Sequence, residues 1–183
     1  TEFEARTTRA QVLMAKQGID ALLLTTEPEV RYFSGFHTLF WQSPTRPWFI
    51  FVPKIGKPIA VIPEIGAELM RTTWLSDIRT WSAPNPLDDG ISLLEDLIES
   101  DLGGKGNIGI PMGHETHMRM PIADFSELKN RLPEINFTDA TYVIRELRMI
   151  KSELEIQKIS NICQIASKTF AQADELFYAG QPL

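Results

Sequence analysis

Apolar residues in this chain recur at two spacings, and the alternation between them predicts its elements. Short unbroken runs read as strands: Ala21-Leu22-Leu23-Leu24, Phe49-Ile50-Phe51-Val52-Pro53 and Pro58-Ile59-Ala60-Val61-Ile62. The last two flank Lys54-Ile55-Gly56-Lys57, a compact turn with glycine available for positive φ, and so predict a hairpin. Further strands are expected near 77–81, over 107–110 after the turn Gly103-Gly104-Lys105-Gly106, and briefly over 136–138. Between them lie stretches with helical spacing. Residues 2–18 set Phe3, Val12, Leu13 and Met14 among charges and end at Gly18. Thr26 is placed to cap a turn with Pro28 early in it, leading to a short helix over 29–33. Helices are also predicted over 64–71, about 90–99 and 120–131, with a turn capped by Asp139 running through Arg145. Ser152 followed three residues later by Glu155 is a capping box. It opens a long helix with Ile156, Ile159, Ile162, Cys163, Ala166 and Phe170 on one side.

Strands alternating with helices indicate an α/β layered sheet, and the hairpin makes that sheet mixed rather than purely parallel. The 183 residues are enough for one sizeable domain with a buried core. A net charge of −6 argues against nucleic acid or an anionic membrane as partner, because both attract basic patches. No apolar run approaches the roughly 20 residues that span a bilayer. One cysteine, Cys163, precludes an internal disulfide, and its apolar helical position predicts a buried, inert thiol. The lack of a disulfide framework is compatible with a reducing cytoplasm.

The usual signatures of catalysis are missing. A hydrolytic metal site needs several His, Asp or Glu side chains converging on one point, and the histidines are His37, His114 and His117 alone. His114-Glu115-Thr116-His117 has a spacing of three, not the four of a zincin helix, and reads as a solvated loop entering a helix. The glycines at 103, 104 and 106 precede a strand, which makes them a turn and not a phosphate cradle. Asp88-Asp89 is expected to decorate a helix N-terminus, where negative charge is favourable. No catalytic residue and no metal ligand is assigned within the chain.

What stands out instead is residues 32–48, the densest aromatic stretch, lying between secondary elements. It carries Tyr32, Phe33, Phe36, His37, Phe40, Trp41 and Trp48. An aromatic loop must bury itself in its own domain, pack on a partner or line a ligand pocket. Tyr32, Phe33 and Trp48 are expected in the local core. For Phe36, Phe40 and Trp41 the core on one hand and an interface or pocket on the other both stand open. Arg46, among these aromatics, could stack on a ring, fork onto a carboxylate, or pair with a surface acid.

Three landmarks in order carry a resemblance. Tyr32-Phe33-Ser34-Gly35-Phe36 resembles the Tyr-aromatic-small-Gly-aromatic stretch of the creatinase/prolidase/aminopeptidase P family's N-terminal domain. Ile108-Gly109-Ile110 resembles its late strand, and Arg148 through Ile156 its exit into the catalytic domain. The resemblance implies a three-layer α/β/α domain with a mixed sheet of ribonuclease-H-like type over 1–147. Residues 148–183 would be the linker and first helix of a pita-bread catalytic domain. That domain would hold two divalent metal ions through ligands beyond Leu183, so the chain is expected to be the front of a two-domain metallohydrolase. Such enzymes are usually homodimers, in which the N-terminal domain of one subunit approaches the active site of the other. By the same resemblance Phe36, Phe40, Trp41 and Arg46 are the candidate substrate-binding residues. Arg46 matches the arginine that meets the substrate carboxylate in creatinase-like members.

The expected function is that of a non-catalytic domain serving dimerisation and substrate-pocket completion in an Xaa-Pro peptidase-like, cytoplasmic hydrolase. Its partners would be its own C-terminal catalytic domain and a small peptide or zwitterionic substrate. Residues 40–48 also resemble the metal-dependent dimethylsulfoniopropionate lyases of this family, whose sulfonium substrate an aromatic box would suit. A third reading is a protein-binding module of a member that has lost its metal ligands.

Overall fold

The computed structural model describes residues 1–42, 46–177 and 179–180. They form two compact units, Thr1–Leu147 and Arg148–Leu183.

In the first unit a six-stranded sheet is built from β1 (Ala21–Leu24), β2 (Phe49–Pro53), β3 (Ile59–Pro63), β4 (Ile78–Trp81), β5 (Gly106–Ile110) and β6 (Ile135–Asp139). Their order across the sheet is β4-β3-β2-β1-β5-β6. The hairpin pairs β2 and β3 antiparallel, β1–β2 is antiparallel as well, and β3–β4, β1–β5 and β5–β6 are parallel. The mixed sheet follows from the short turn at Gly56, whose φ of 98° suits glycine.

Strand side chains alternate between faces, and the continuous apolar runs serve a sheet buried on both sides. Leu22, Leu24, Ile50, Val52, Ala60 and Ile62 enter one core. There they meet α1 (Glu2–Gln17), α2 (Glu27–Ser34), α3 (Ala67–Arg71) and α6 (Thr141–Met149), through residues such as Met14, Phe33, Met70 and Val143. Ala21, Leu23, Phe49, Phe51 and Val61 enter the opposite core. That core is closed by α4 (Ile91–Leu102) and α5 (Ile122–Arg131), through Leu94, Leu97, Ile98 and Leu128. This is the three-layer α/β/α arrangement with a mixed sheet expected from the sequence.

Local signals set the element ends. Gly18 closes α1 in the left-handed conformation, and the Glu29 carboxylate accepts the Thr26 N–H at the start of α2. Asp88 accepts the N–H groups of Ile91 and Ser92 at 2.7 and 3.1 Å, which puts Asp88 at the N-terminus of α4 as anticipated. Two expectations need adjustment. The turn through Arg145 is a full helix, α6, because Val143, Ile144 and Leu147 present one buried stripe. The helix expected from residue 120 begins at Ile122, behind Pro121.

The second unit contains α7 (Glu153–Phe170) and the short α8 (Ala173–Leu176). The capping box is present: Ser152 Oγ accepts the Glu155 N–H at 3.2 Å and Glu155 accepts the Ser152 N–H at 2.9 Å. Within this unit Ile156, Ile159, Ile162 and Phe170 are exposed. Cys163, expected to be buried, is exposed with them, because no described residue of its own unit covers that side of the helix. Among the described residues no helix is long and apolar enough to cross a membrane.

Candidate functional site

The aromatic segment leaves α2 at a glycine that no other residue could replace without strain. Gly35 has φ 78°, and a Cβ there would lie 2.7 Å from the Phe3 ring. The Ser34 hydroxyl donates to the Val30 carbonyl at 2.6 Å and accepts the Phe36 N–H at 3.0 Å, turning the chain inward. Phe36 therefore points into the core at 1% exposure, its ring 5.4 Å from Trp48. Of the four candidate substrate-binding residues, Phe36 is the one placed beneath the surface, where it packs on Trp48.

A short 3-10 helix, Leu39–Gln42, brings the next two aromatics to the surface. Phe40 is 43% exposed and stacks on Trp48, with centroids 6.3 Å apart and planes 14° apart. Trp41 lies half-buried, 5.7 Å from the same ring. Trp48 is thus the common floor, and it is packed tightly from below: a Cβ at Gly66 would fall 2.3 Å from its ring. Tyr32, Phe33 and Trp48 are all buried, as their pattern predicted. Residues 43–45 of this stretch lie outside the described residues.

A second loop, residues 111–121, follows β5 and meets the aromatic one. Its first turn is fixed by Thr141, whose hydroxyl accepts the Met112 and Gly113 N–H groups at 3.0 and 2.7 Å. Asp139 accepts the Thr141 hydroxyl at 2.5 Å and the Met112 N–H at 3.0 Å. Burial alone would raise the Asp139 carboxyl, but these hydrogen bonds and the nearby Arg145 charge outweigh it and hold the group below its ordinary value. Farther along, the Arg119 N–H donates to Thr25 Oγ1 at 2.9 Å, tying the loop to the end of β1. The Arg119 guanidinium lies over the Trp41 ring, 5.0 Å from its centroid, and its Nη1 donates to the Arg46 carbonyl. Burial lowers the Arg119 guanidinium, with the Glu27 charge opposing; a guanidinium nonetheless stays protonated in a protein.

Between the two loops is a cavity of about 520 Å³, lined by Trp41, Gln42 and Pro47 on one side and by His117, Met118 and Arg119 on the other. Its position follows from topology. After β1 the chain passes to α2 in one core; after the adjacent parallel strand β5 it passes to α5 in the other. A crevice opens at the carboxyl ends of strands where neighbouring connections diverge in this way. Trp41 packs against the first core, and Met118 and Met120 against the second.

Arg46 is half-buried, and its recorded contact with the second loop is through its carbonyl. The segment's lining residue on that side is Pro47. His117 belongs to the cavity wall, while His114 offers its carbonyl to Arg145 at 2.7 Å, so the His114–His117 stretch is a loop, as read from its spacing. Sequence reasoning missed Arg119 and its neighbours. The available signal was that a loop of long side chains, Met118-Arg119-Met120, leaves a strand at its carboxyl end. Among the described residues, no three His, Cys, Asp or Glu side chains converge where a metal ion could sit. The described residues do not fit a metal centre.

Comparison with known proteins places this geometry. Residues 6–150 match the creatinase/prolidase N-terminal domain. The chain is 26% identical to a creatinase from a Bacillus species, over 99% of this chain and 42% of that protein. It is 28% identical to an Xaa-Pro dipeptidase from Pyrococcus horikoshii, over 92% of this chain and 41% of that protein. Among solved structures, a prolidase from Thermococcus sibiricus superposes with a TM-score of 0.81 at 20% identity, covering 99% of this chain and 46% of that one. An X-Pro aminopeptidase from Thermotoga maritima superposes at 0.71 with 21% identity, covering 96% and 44%. The chain thus spans less than half the length of the curated relatives it matches. With the family match covering most of the first unit and the α/β/α layers agreeing in space, the chain belongs to the creatinase/prolidase N-terminal domain family.

Proposed function

We propose that this domain is the non-catalytic N-terminal part of a metal-dependent hydrolase of the Xaa-Pro dipeptidase type, and that its aromatic loop completes the substrate pocket. The observation that carries this reading is the Phe40–Trp48–Trp41 cluster beside a cavity at the carboxyl ends of β1 and β5. Phe40 and Trp41 would give a flat apolar wall for a proline ring, Phe36 would brace it, and Arg46 would attract the substrate carboxylate. The two divalent metal ions would be held in the part of the protein that the relatives have and this chain does not span. Residues 148–183 would be the linker and first helix of that catalytic domain, which would cover the apolar side of α7. Pairing of two subunits would bring the aromatic loop of one to the reaction centre of the other.

The sulfonium-lyase reading is weaker because a cation, Arg119, already lies over Trp41. An aromatic box for a second cation would meet its repulsion. The deciding assay takes the full-length protein with a divalent metal and offers alanyl-proline, creatine and dimethylsulfoniopropionate. Hydrolysis of alanyl-proline is expected, with KM raised roughly tenfold in Arg46→Ala for loss of a charge-assisted hydrogen bond. Turnover of dimethylsulfoniopropionate alone would transfer the domain to the lyase reading. Turnover of none, with the metal-ligand positions lost, would make it a binding module.

A further inference from the structure

We propose that Arg119 is the positioning residue of the aromatic lip: it clamps Trp41 and the Arg46 backbone into one conformation, and so sets substrate affinity from a different loop. The inference rests on the reading of Phe36, Phe40, Trp41 and Arg46 as part of the substrate pocket, and it concerns what holds Trp41 and Arg46 in place.

Trp41 needs such a clamp. An indole at a protein surface is ordinarily anchored through its N–H. Here Nε1 of Trp41 is buried without a hydrogen-bond partner among the described residues, so the side chain is held by its ring faces and edges. The ring contacts recorded for it are Trp48 at 5.7 Å and the Arg119 guanidinium at 5.0 Å. Arg119 also reaches beyond the ring, donating from Nη1 to the Arg46 carbonyl on the far side of residues 43–45. One planar cation therefore contacts the lip at both Trp41 and Arg46. A guanidinium does this where an ammonium cannot, because it stacks and donates in its own plane at the same time.

The clamp is itself fixed. The Arg119 N–H is bonded to Thr25 Oγ1, and Thr25 is buried at the end of β1. The loop's other end, Met112 and Gly113 just after β5, is pinned to the Thr141 hydroxyl just after β6. Rigid strand ends thus determine where the guanidinium sits, and the guanidinium determines where Trp41 and Arg46 sit. Withdrawal of Arg119 from water, which lowers its proton affinity, strengthens both contacts.

The test uses the full-length protein labelled with 5-fluorotryptophan, the Trp41 resonance being identified by its loss in Trp41→Phe. In the unaltered protein Trp41 should give one resonance with a small shift between H2O and D2O. Arg119→Ala should enlarge that solvent shift or broaden the line, and Arg119→Lys should restore it only in part. KM for alanyl-proline should rise roughly tenfold in Arg119→Ala, with kcat changed by less than about twofold. An unaltered Trp41 resonance in Arg119→Ala would overturn the clamp. Full recovery of both readouts in Arg119→Lys would also overturn it, because charge alone would then suffice. A changed resonance with an unchanged KM would leave the clamp standing and remove the lip from the substrate pocket. Should Arg119→Ala fail to fold, Thr25→Val, which removes only the loop's anchor, must reproduce the larger solvent shift; an unchanged shift there overturns the proposal.

Discussion

Trp48 shows how much of the site rests on single atoms. Its ring underlies Phe36, Phe40 and Trp41, and it approaches Gly66 so closely that no side chain fits between them. Gly66→Ala should therefore cost about 1–3 kcal/mol of stability, the usual range for overpacking a filled core. Chemical denaturation measures this directly, and a cost near zero would mean that the Trp48 floor can shift. Residue types foretold part of this site: the aromatic run between elements marked where exposed rings had to be explained. They did not foretell Arg119, which touches Trp41 and Arg46 only because two loops far apart in sequence emerge at neighbouring strand ends. Nor did they assign Phe36 to the core. Its burial depends on the glycine turn at Gly35 and on the Ser34 hydroxyl that holds the Phe36 N–H.

Elements were legible where their ends carry their own chemistry. The Ser152–Glu155 box and the acids before α4 act within a few residues of themselves, so sequence displays them fully. Asp88 makes a prediction at this scale. Burial alone would raise its carboxyl, but hydrogen bonds from Ser92 and Ile91 and the Arg131 charge prevail and lower it. A folded-state value below the unfolded one stabilises the protein fully above the ordinary carboxylate range; that contribution disappears as pH falls through the folded value. Asp88→Ala should thus cost about 0.5–2 kcal/mol at neutral pH. The difference in Tm from the unaltered protein should close on acidification below pH of about 3.9. A gap that stayed constant with pH would mean that the carboxylate charge plays no part. Elements were less legible where tertiary contact decides. α6 extends past the expected turn because its apolar stripe meets the first core. The exposure of Cys163 was invisible because an amphipathic pattern states that a face wants cover, without stating which part of a protein provides it.

At the largest scale, a mixed sheet with a core on each face makes the first unit a rigid platform, and the divergence after β1 and β5 puts a crevice at the carboxyl ends of these two strands. The sheet was readable because five-residue apolar runs buried on both faces have few other uses. The crevice was not, since strand order cannot be read from the runs themselves. The relatives are roughly twice this long, and the function proposed above divides the labour between a binding surface here and reactive ions elsewhere. Trp41→Ala in the full-length, metal-loaded protein tests that division most directly. Steady-state kinetics on alanyl-proline should show KM raised roughly tenfold, with kcat and bound metal unchanged. Loss of bound metal, or a collapse of kcat at constant KM, would contradict the account.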